Sequence, residues 1–208
     1  MKLTNEIVST IIQLIAFSLI PFIAYLFRKN KKQSFLQYIG LYKAETKSVK
    51  LAVLASALVL ISGIALTFFN EGIRQAILNP PSITGELRLS GFSLTTILIL
   101  LTVAILKTSL AEEILFRGFI TKRTIKIFGF KTGNIIQATI FGLIHVLLFW
   151  FLTKTSVIFL ILIFGFTFSA GWIIGLINEK YGNGSIIPGW IAHGLGNTLA
   201  YFIIAFVL

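Results

Sequence analysis

The fold is decided by residues 92–117, which read FSLTTILILLTVAILKTSLAEEILFR. The stretch is largely apolar up to Leu110 and then carries two adjacent acids, Glu112 and Glu113, followed by Arg117. A charged side chain in the bilayer core costs roughly 2.5–3.5 kcal/mol on insertion scales, so it is rarely kept without a function. The whole chain has only 7 acidic residues. The placement of two of them here indicates a functional membrane segment.

The composition is that of a membrane protein. Of the 208 residues, 56% are hydrophobic and only 12% are charged, whereas soluble domains carry about 25% charged residues. We therefore predict a single integral membrane domain over residues 1–208, built as an all-α bundle. The chain has no Cys, which excludes disulfides, cysteine-ligated metals and cysteine nucleophiles.

The apolar runs set the expected number of membrane spans. An α-helix needs about 20 apolar residues to cross the hydrocarbon core. Six runs qualify, namely Ile7–Phe27, Leu51–Phe69, Phe92–Ile114, Asn134–Leu152, Ser156–Ile177 and Ile186–Leu208. We therefore predict about six spans. The first run is too long for the apolar region of a signal peptide and has no small-residue cleavage site after it, so we expect it to be retained.

Basic residues are concentrated in two of the predicted loops. They are Arg28, Lys29, Lys31, Lys32, Lys43, Lys47 and Lys50 after the first span, and Arg117, Lys122, Arg123, Lys126 and Lys131 after the third. Loops rich in Lys and Arg stay in the cytoplasm. We therefore place these loops and residues 178–185 inside, and residues 70–91 and 153–155 outside, with both ends of the chain facing outward.

The net charge of +11 follows from these loops and suits anionic lipid headgroups. Nucleic-acid binding is excluded, because the basic residues are spread over short loops and do not line one folded face. We predict a multi-pass protein of the cell membrane. The many Lys, Ile, Phe and Asn residues favour a bacterial source.

The chain has two histidines, His145 and His193, and each lies inside an apolar run. Residues four apart on a helix share a face, so Asn197 points the same way as His193, and Glu113 can pair with Arg117. Glu112 points about 100° away from its neighbour, since a helix has 3.6 residues per turn. It is therefore free to face other helices.

The depths of these groups can be compared. At 1.5 Å per residue, His145 lies roughly 16 Å into the fourth span and His193 roughly 10 Å into the sixth. Glu112 lies near the cytoplasmic end of the third span, so all three can meet in the cytoplasmic half of the bilayer. Taken singly, His145 is explained equally well as a core histidine bonded to a backbone carbonyl, and Asn197 as an interhelical hydrogen bond.

Three motifs follow one another on successive apolar spans. They are Glu112-Glu113-x-x-x-Arg117, Phe141-x-x-x-His145 and His193-x-x-x-Asn197. This series resembles the CAAX protease and bacteriocin-processing family of intramembrane endopeptidases, formerly grouped as an abortive-infection family. The resemblance covers residues 108–201, which we take as the catalytic core region.

The resemblance implies roles for these residues. Glu112 and His145 would hold and activate a water molecule, while His193 and Asn197 would stabilise the oxyanion. Glu113 and Arg117 would form a structural pair. The expected substrate is a peptide or a membrane-associated protein, because related bacterial members act in bacteriocin maturation and self-immunity.

A metal is left open by the sequence. Glu112, His145 and His193 together make the three-ligand set of a catalytic zinc site, and the family is classed as metalloproteases on this ground. A metal-free mechanism, with Glu112 as the sole base, fits the same residues.

Two other functions compete with proteolysis. A non-catalytic immunity or scaffold protein would keep the motifs for structure. A transporter would use Glu112, His145 and His193 as a proton relay. The transporter is disfavoured because the outer half of the predicted bundle is almost purely apolar, whereas transport needs polar groups along a path to both faces.

Overall fold

The structure, a computed structural model, describes residues 2–28, 32–69, 71–153 and 156–208. These residues form α-helices and π-helical segments. The α-helices are α1 (Leu3–Leu26), α2 (Phe35–Tyr38), α3 (Thr46–Thr67), α4 (Glu71–Leu78), α5 (Ile83–Ser90), α6 (Leu94–Leu101), α7 (Lys122–Thr153), α8 (Val157–Leu176) and α9 (Ile187–Phe206). The π-helical segments are π1 (Thr102–Leu110), π2 (Glu113–Thr121) and π3 (Ile177–Tyr181). No strand occurs within the described ranges.

Five residues used in the loop assignments lie outside the described residues. They are Lys29, Lys31, Asn70, Lys154 and Thr155. The expected loop contains two short helices, α4 and α5, that the sequence did not predict, and a turn at Pro80 and Pro81 joins them.

The prediction of an all-helical membrane protein is confirmed, whereas the number of spans is not. The described chain has 4 helical runs that are long and apolar enough to cross a membrane, namely Leu3–Leu26, Thr46–Thr67, Leu94–Phe151 and Val157–Tyr181. The run Leu94–Phe151 contains both the third and the fourth predicted spans. Helix α9 is not one of the 4 runs, and its polar His193 and Asn197 lower its mean hydropathy.

The third predicted span continues as helix through the basic residues that were expected to form a loop. The chain turns back only at Gly129, whose φ of 74° and ψ of 169° are not helical. Glycine adopts such a positive φ without steric cost. After the turn the two arms pack together, and the Thr124 hydroxyl donates to the carbonyl oxygen of Gly133 at 3.0 Å.

The carbonyl groups of π1 are bonded by side chains from other helices. Trp190 of α9 donates its indole N–H to the oxygen of Ile105 at 2.8 Å. Gln13 of α1 donates to the oxygen of Lys107, also at 2.8 Å. In a bilayer no water is available for a free backbone carbonyl, so each must find a partner within the protein. These bonds explain how an irregular helix is tolerated here.

Lys107, the lone cation within the third predicted span, is paired. Its Nζ lies 3.0 Å from Oε2 of Glu6 on α1. Both side chains are mostly buried, and a buried charge is stable only with a partner. Leu3 packs beside π1 and Tyr25 beside π2. Helix α1 therefore runs parallel to the helical stretch 94–121, which carries Glu112.

The start of α9 is held close to Lys122, the residue that directly follows π2. Lys122 Nζ lies 3.2 Å from Oε1 of Glu179 and donates to the carbonyl oxygen of Gly184 at 2.6 Å. The backbone N–H of Ile186 donates to the oxygen of Gly40 at 2.8 Å. These contacts set the position from which α9 enters the bundle.

Helices α7 and α8 pack closely through small residues, as the Gly171-x-x-x-Gly175 spacing predicts. At Gly171 an added Cβ would lie 3.2 Å from the Phe141 ring. At Gly175 it would collide with the Asn134 side chain. Gln137 donates to the Gly171 carbonyl oxygen at 2.9 Å across the same interface.

Substitution of Gly175 by Ala is therefore expected to destabilise the bundle. Overpacking of this kind costs about 1–3 kcal/mol. Gly165→Ala in the same helix is the matched control, because nothing lies within 4 Å of its added Cβ. The control should be neutral or slightly stabilising, since Ala is preferred to Gly in helices. Thermal unfolding in detergent measures both, and equal unfolding temperatures would contradict this packing.

Candidate active site

The predicted site residues lie on four segments of the bundle. Glu112 lies at the junction of π1 and π2, Glu113 and Arg117 lie on π2, His145 lies on α7, and His193 and Asn197 lie on α9. Segments of π-helix are often found at functional sites. The structure brings the two glutamates and His193 together, and His145 contacts Phe141 of its own helix.

His193 lies between the two glutamates. Its Nε2 is 3.9 Å from Oε2 of Glu112, and its Nδ1 is 3.5 Å from Oε1 of Glu113. The side chains of His193 and Glu112 are 13% and 15% exposed, while that of Glu113 is fully buried. The Nδ1 edge of the imidazole therefore faces the fully buried carboxylate of Glu113, and the Nε2 edge faces the partly exposed carboxylate of Glu112.

Glu113 forms a buried ion pair with Arg117. Arg117 Nη1 lies 3.0 Å from Glu113 Oε1, and both side chains are 0% exposed. The contact is electrostatic, because none of the three guanidinium nitrogens makes an aligned hydrogen bond. The guanidinium carbon also lies 4.3 Å from the centre of the Phe141 ring, a cation–π arrangement that is strengthened by burial.

Asn178 is a buried contact of this pair that sequence reasoning missed. Its amide nitrogen donates to Oε2 of Glu113 at 3.4 Å, and its oxygen accepts from the backbone N–H of Gly189 at 2.8 Å. A Cβ at Gly189 would collide with the Glu113 carboxylate. Asn178 was expected to lie in a loop. The helix instead continues directly from α8 into π3, which contains Asn178.

His145 is oriented by its own helix. Its Nδ1 lies 2.8 Å from the carbonyl oxygen of Phe141. Because a carbonyl oxygen only accepts hydrogen bonds, Nδ1 carries the proton and Nε2 has a free lone pair. The centre of the Phe141 ring is 4.4 Å from that of His145 and 6.2 Å from that of His193. Phe141 thus contacts both histidines.

Among the described residues, no group of three His, Asp or Glu side chains is placed to hold one metal ion. The assignment of Glu112, His145 and His193 as zinc ligands stays a prediction. No step of the chemistry described below passes through a metal.

The amide nitrogen of Asn197 faces two hydroxyl groups. The Nδ2 atom donates to Oγ1 of Thr108 at 3.1 Å and lies 3.5 Å from Oγ of Ser109. Both hydroxyls belong to π1, and sequence reasoning gave neither a role. The pattern that could have revealed them is their position one turn before Glu112.

A family model described as "Type II CAAX prenyl endopeptidase Rce1-like" matches residues 93–199. The match covers half of the chain and includes every residue of the three motifs. The chain belongs to the Rce1-like family. Comparisons with curated proteins and with solved structures give no match.

Membership in the Rce1-like family supports a CAAX-type endopeptidase that is embedded in the membrane and acts on a peptide or protein substrate. The recognition made from the three motifs is thereby confirmed. Helices α1 to α5 lie before the matched residues. They nevertheless support the Rce1-like core, since α1 supplies both Glu6 and Gln13 to π1.

Removal of the guanidinium is expected to destabilise the core strongly. Arg117→Met leaves the Glu113 carboxylate buried without its cation, which costs about 3–5 kcal/mol. The double variant Glu113→Gln/Arg117→Met should recover part of this loss, because it removes the uncompensated charge. Lys126→Met, at an exposed position of α7, is the matched control for loss of a cation.

The free energy of unfolding in detergent tests this expectation. An Arg117→Met variant as stable as the Lys126→Met control would show that the buried pair does not stabilise the core.

Proposed function

We propose that the protein is an intramembrane endopeptidase in which Glu112 activates water for attack on a peptide bond. One observation carries the proposal. Oε2 of Glu112 is buried and has no hydrogen-bond partner among the described residues, while the side chain as a whole stays partly open. An unpaired buried acceptor costs about 1–3 kcal/mol. A water molecule or a substrate N–H donating to this oxygen would offset that cost.

The proposed reaction uses the two faces of His193 differently. Glu112 takes a proton from water, and the resulting hydroxide attacks the substrate carbonyl carbon. The Nε2 edge of His193, next to Glu112, is the donor for the developing oxyanion. Nδ1 faces Oε1 of Glu113 at 3.5 Å, so in this proposal both ring nitrogens of His193 carry a proton when the oxyanion forms. Collapse of the tetrahedral intermediate passes the proton from Glu112 to the leaving amine.

His145 has a supporting part in the proposal. The lone pair on its Nε2 can accept the second hydrogen of the water, because Nδ1 is committed to the Phe141 carbonyl. His145 lies on α7, so in this proposal it approaches the substrate from the α7 side. In this proposal α9 also crosses the membrane, which gives six crossings with the site in the cytoplasmic half.

Single substitutions test these assignments. Glu112→Gln is expected to lower turnover by about 10²–10⁴-fold, the usual contribution of a general base, without changing the unfolding temperature. His145→Ala and His193→Ala should also lower turnover. Glu45→Gln is the matched control, because Glu45 is exposed and its side chain makes no capping bond.

The measurement uses purified protein in detergent with quenched fluorescent peptides, with and without a prenylated cysteine. A parent protein that cleaves none of them, or three site variants that all cleave like the parent, would leave a binding or immunity role in place of proteolysis. Cleavage of only the prenylated peptides would define the substrate class.

Activity is expected to persist in a strong chelator, because the described residues provide no three-ligand cluster. Metal analysis of the same preparation is the direct measurement. Loss of cleavage with chelator and its recovery with zinc would contradict the metal-free reaction and assign Glu112, His145 and His193 as ligands.

A further inference from the structure

The amide group of Asn197 lies between two hydroxyl groups of π1. Its Nδ2 atom is 3.1 Å from Oγ1 of Thr108 and 3.5 Å from Oγ of Ser109. An amide can present either its NH₂ or its oxygen to such neighbours. Which group faces π1 therefore depends on whether the hydroxyl protons are already used in other hydrogen bonds.

The hydroxyl protons are already committed to backbone carbonyls. Thr108 Oγ1 donates to the oxygens of Val103 at 3.0 Å and Ala104 at 3.2 Å. Ser109 Oγ donates to the oxygen of Ala104 at 2.6 Å. A hydroxyl has a single proton, so both groups can only accept from further partners, which for Thr108 are Asn197 and Tyr201, both on α9.

The orientation of Asn197 follows from this arrangement. The NH₂ group must face π1, because the hydroxyl oxygens of Thr108 and Ser109 can accept its two hydrogens. The side-chain oxygen must then face away from π1. No hydrogen bond to this oxygen occurs among the described residues, and it is not one of the enclosed unpaired atoms.

We propose that Thr108 and Ser109 are positioning residues that hold the Asn197 amide with its oxygen turned toward the site. This inference rests on the proposed function. It gives Asn197 a role that differs from the oxyanion contact implied by the family resemblance. Asn197 then accepts a hydrogen bond from the attacking water or from the N–H of the scissile bond. Oxyanion stabilisation falls to His193, which lies one helical turn earlier on the same face of α9.

The π-helical backbone is part of this device. Each hydroxyl reaches a carbonyl five residues earlier, which is the spacing of a π-helix. The two hydroxyls therefore donate to carbonyl oxygens of π1 and accept hydrogen bonds from α9. The register of π1 and the orientation of Asn197 are in this way connected.

A double-mutant cycle tests the positioning role. Thr108→Val keeps the shape and removes the acceptor, and it should lower kcat about 10–100-fold, as expected for a misplaced catalytic group, with KM little changed. Thr108→Ser should restore most of the rate, and Ser109→Ala should give a smaller loss. Thr102→Val is the matched control, since that hydroxyl bonds only to Leu98 in its own helix.

In the Asn197→Ala background, Thr108→Val should have no further effect on kcat, because the group that it positions is gone. Additive losses, or a Thr108→Val rate equal to that of Thr102→Val, would overturn the inference. If the parent cleaves peptide and Glu112→Gln does not, the proposed function stands whatever Thr108→Val does.

The orientation itself is tested by Asn197→Asp. A carboxylate would place a third acceptor against two hydroxyls that lack a free proton. The unfolding temperature of Asn197→Asp should therefore fall below that of Asn197→Ala. An Asn197→Asp variant as stable as the parent would show that the oxygen, not the NH₂ group, faces π1.

Discussion

The buried ion pair between Glu113 and Arg117 is the constraint on which the rest of the core depends. Both side chains are fully enclosed, and enclosing two charges costs several kcal/mol for each ion unless the surroundings compensate. The compensating contacts come from Phe141 of α7 and Asn178 of π3, while the backbone of α8 at Gly171 and of α9 at Gly189 approaches the pair closely. The pair therefore fixes where three other helices can lie. It also explains why two of those contacts are glycines, since any side chain there would enter the space that the ion pair fills.

The second constraint is the irregular backbone that carries Glu112. A π-helical segment inside a bilayer survives only if its carbonyls find donors, and here the donors come from both ends of the chain. Gln13 belongs to α1, before the family match begins, and Trp190 belongs to α9, near its end. The first helix thus does more than anchor the protein. Together with the pair between Glu6 and Lys107, it holds π1 in the register that the site needs.

Sequence reasoning succeeded where a pattern reports a local physical requirement. Apolar runs gave the helical membrane class, the spacing of Glu113 and Arg117 gave their pairing, and the glycine spacing gave the contact between α7 and α8. It failed where structure depends on partners distant in sequence. The basic residues before Gly129 were assigned to the connection between the third and fourth spans, with helix expected to Ile120 or beyond, and backbone geometry at Gly129 sets where that helix ends. Neither the π-helical segments nor the orientation of Asn197 is visible in hydropathy or spacing, because both depend on which helices supply donors and acceptors.

The different surroundings of the two adjacent glutamates decide which of them can act as the base. Glu113 is neutralised by Arg117 at 3.0 Å, so a proton transferred to it would have to displace a buried cation contact. Among the described residues, the only ion-pair contact of Glu112 is with His193, at 3.9 Å, which is longer than the 3.0 Å contact between Glu113 and Arg117. Glu112 therefore keeps the lone pairs and the access that a base requires. In the proposed reaction Glu113 faces the Nδ1 edge of His193, at 3.5 Å, and Glu112 faces the opposite, Nε2 edge.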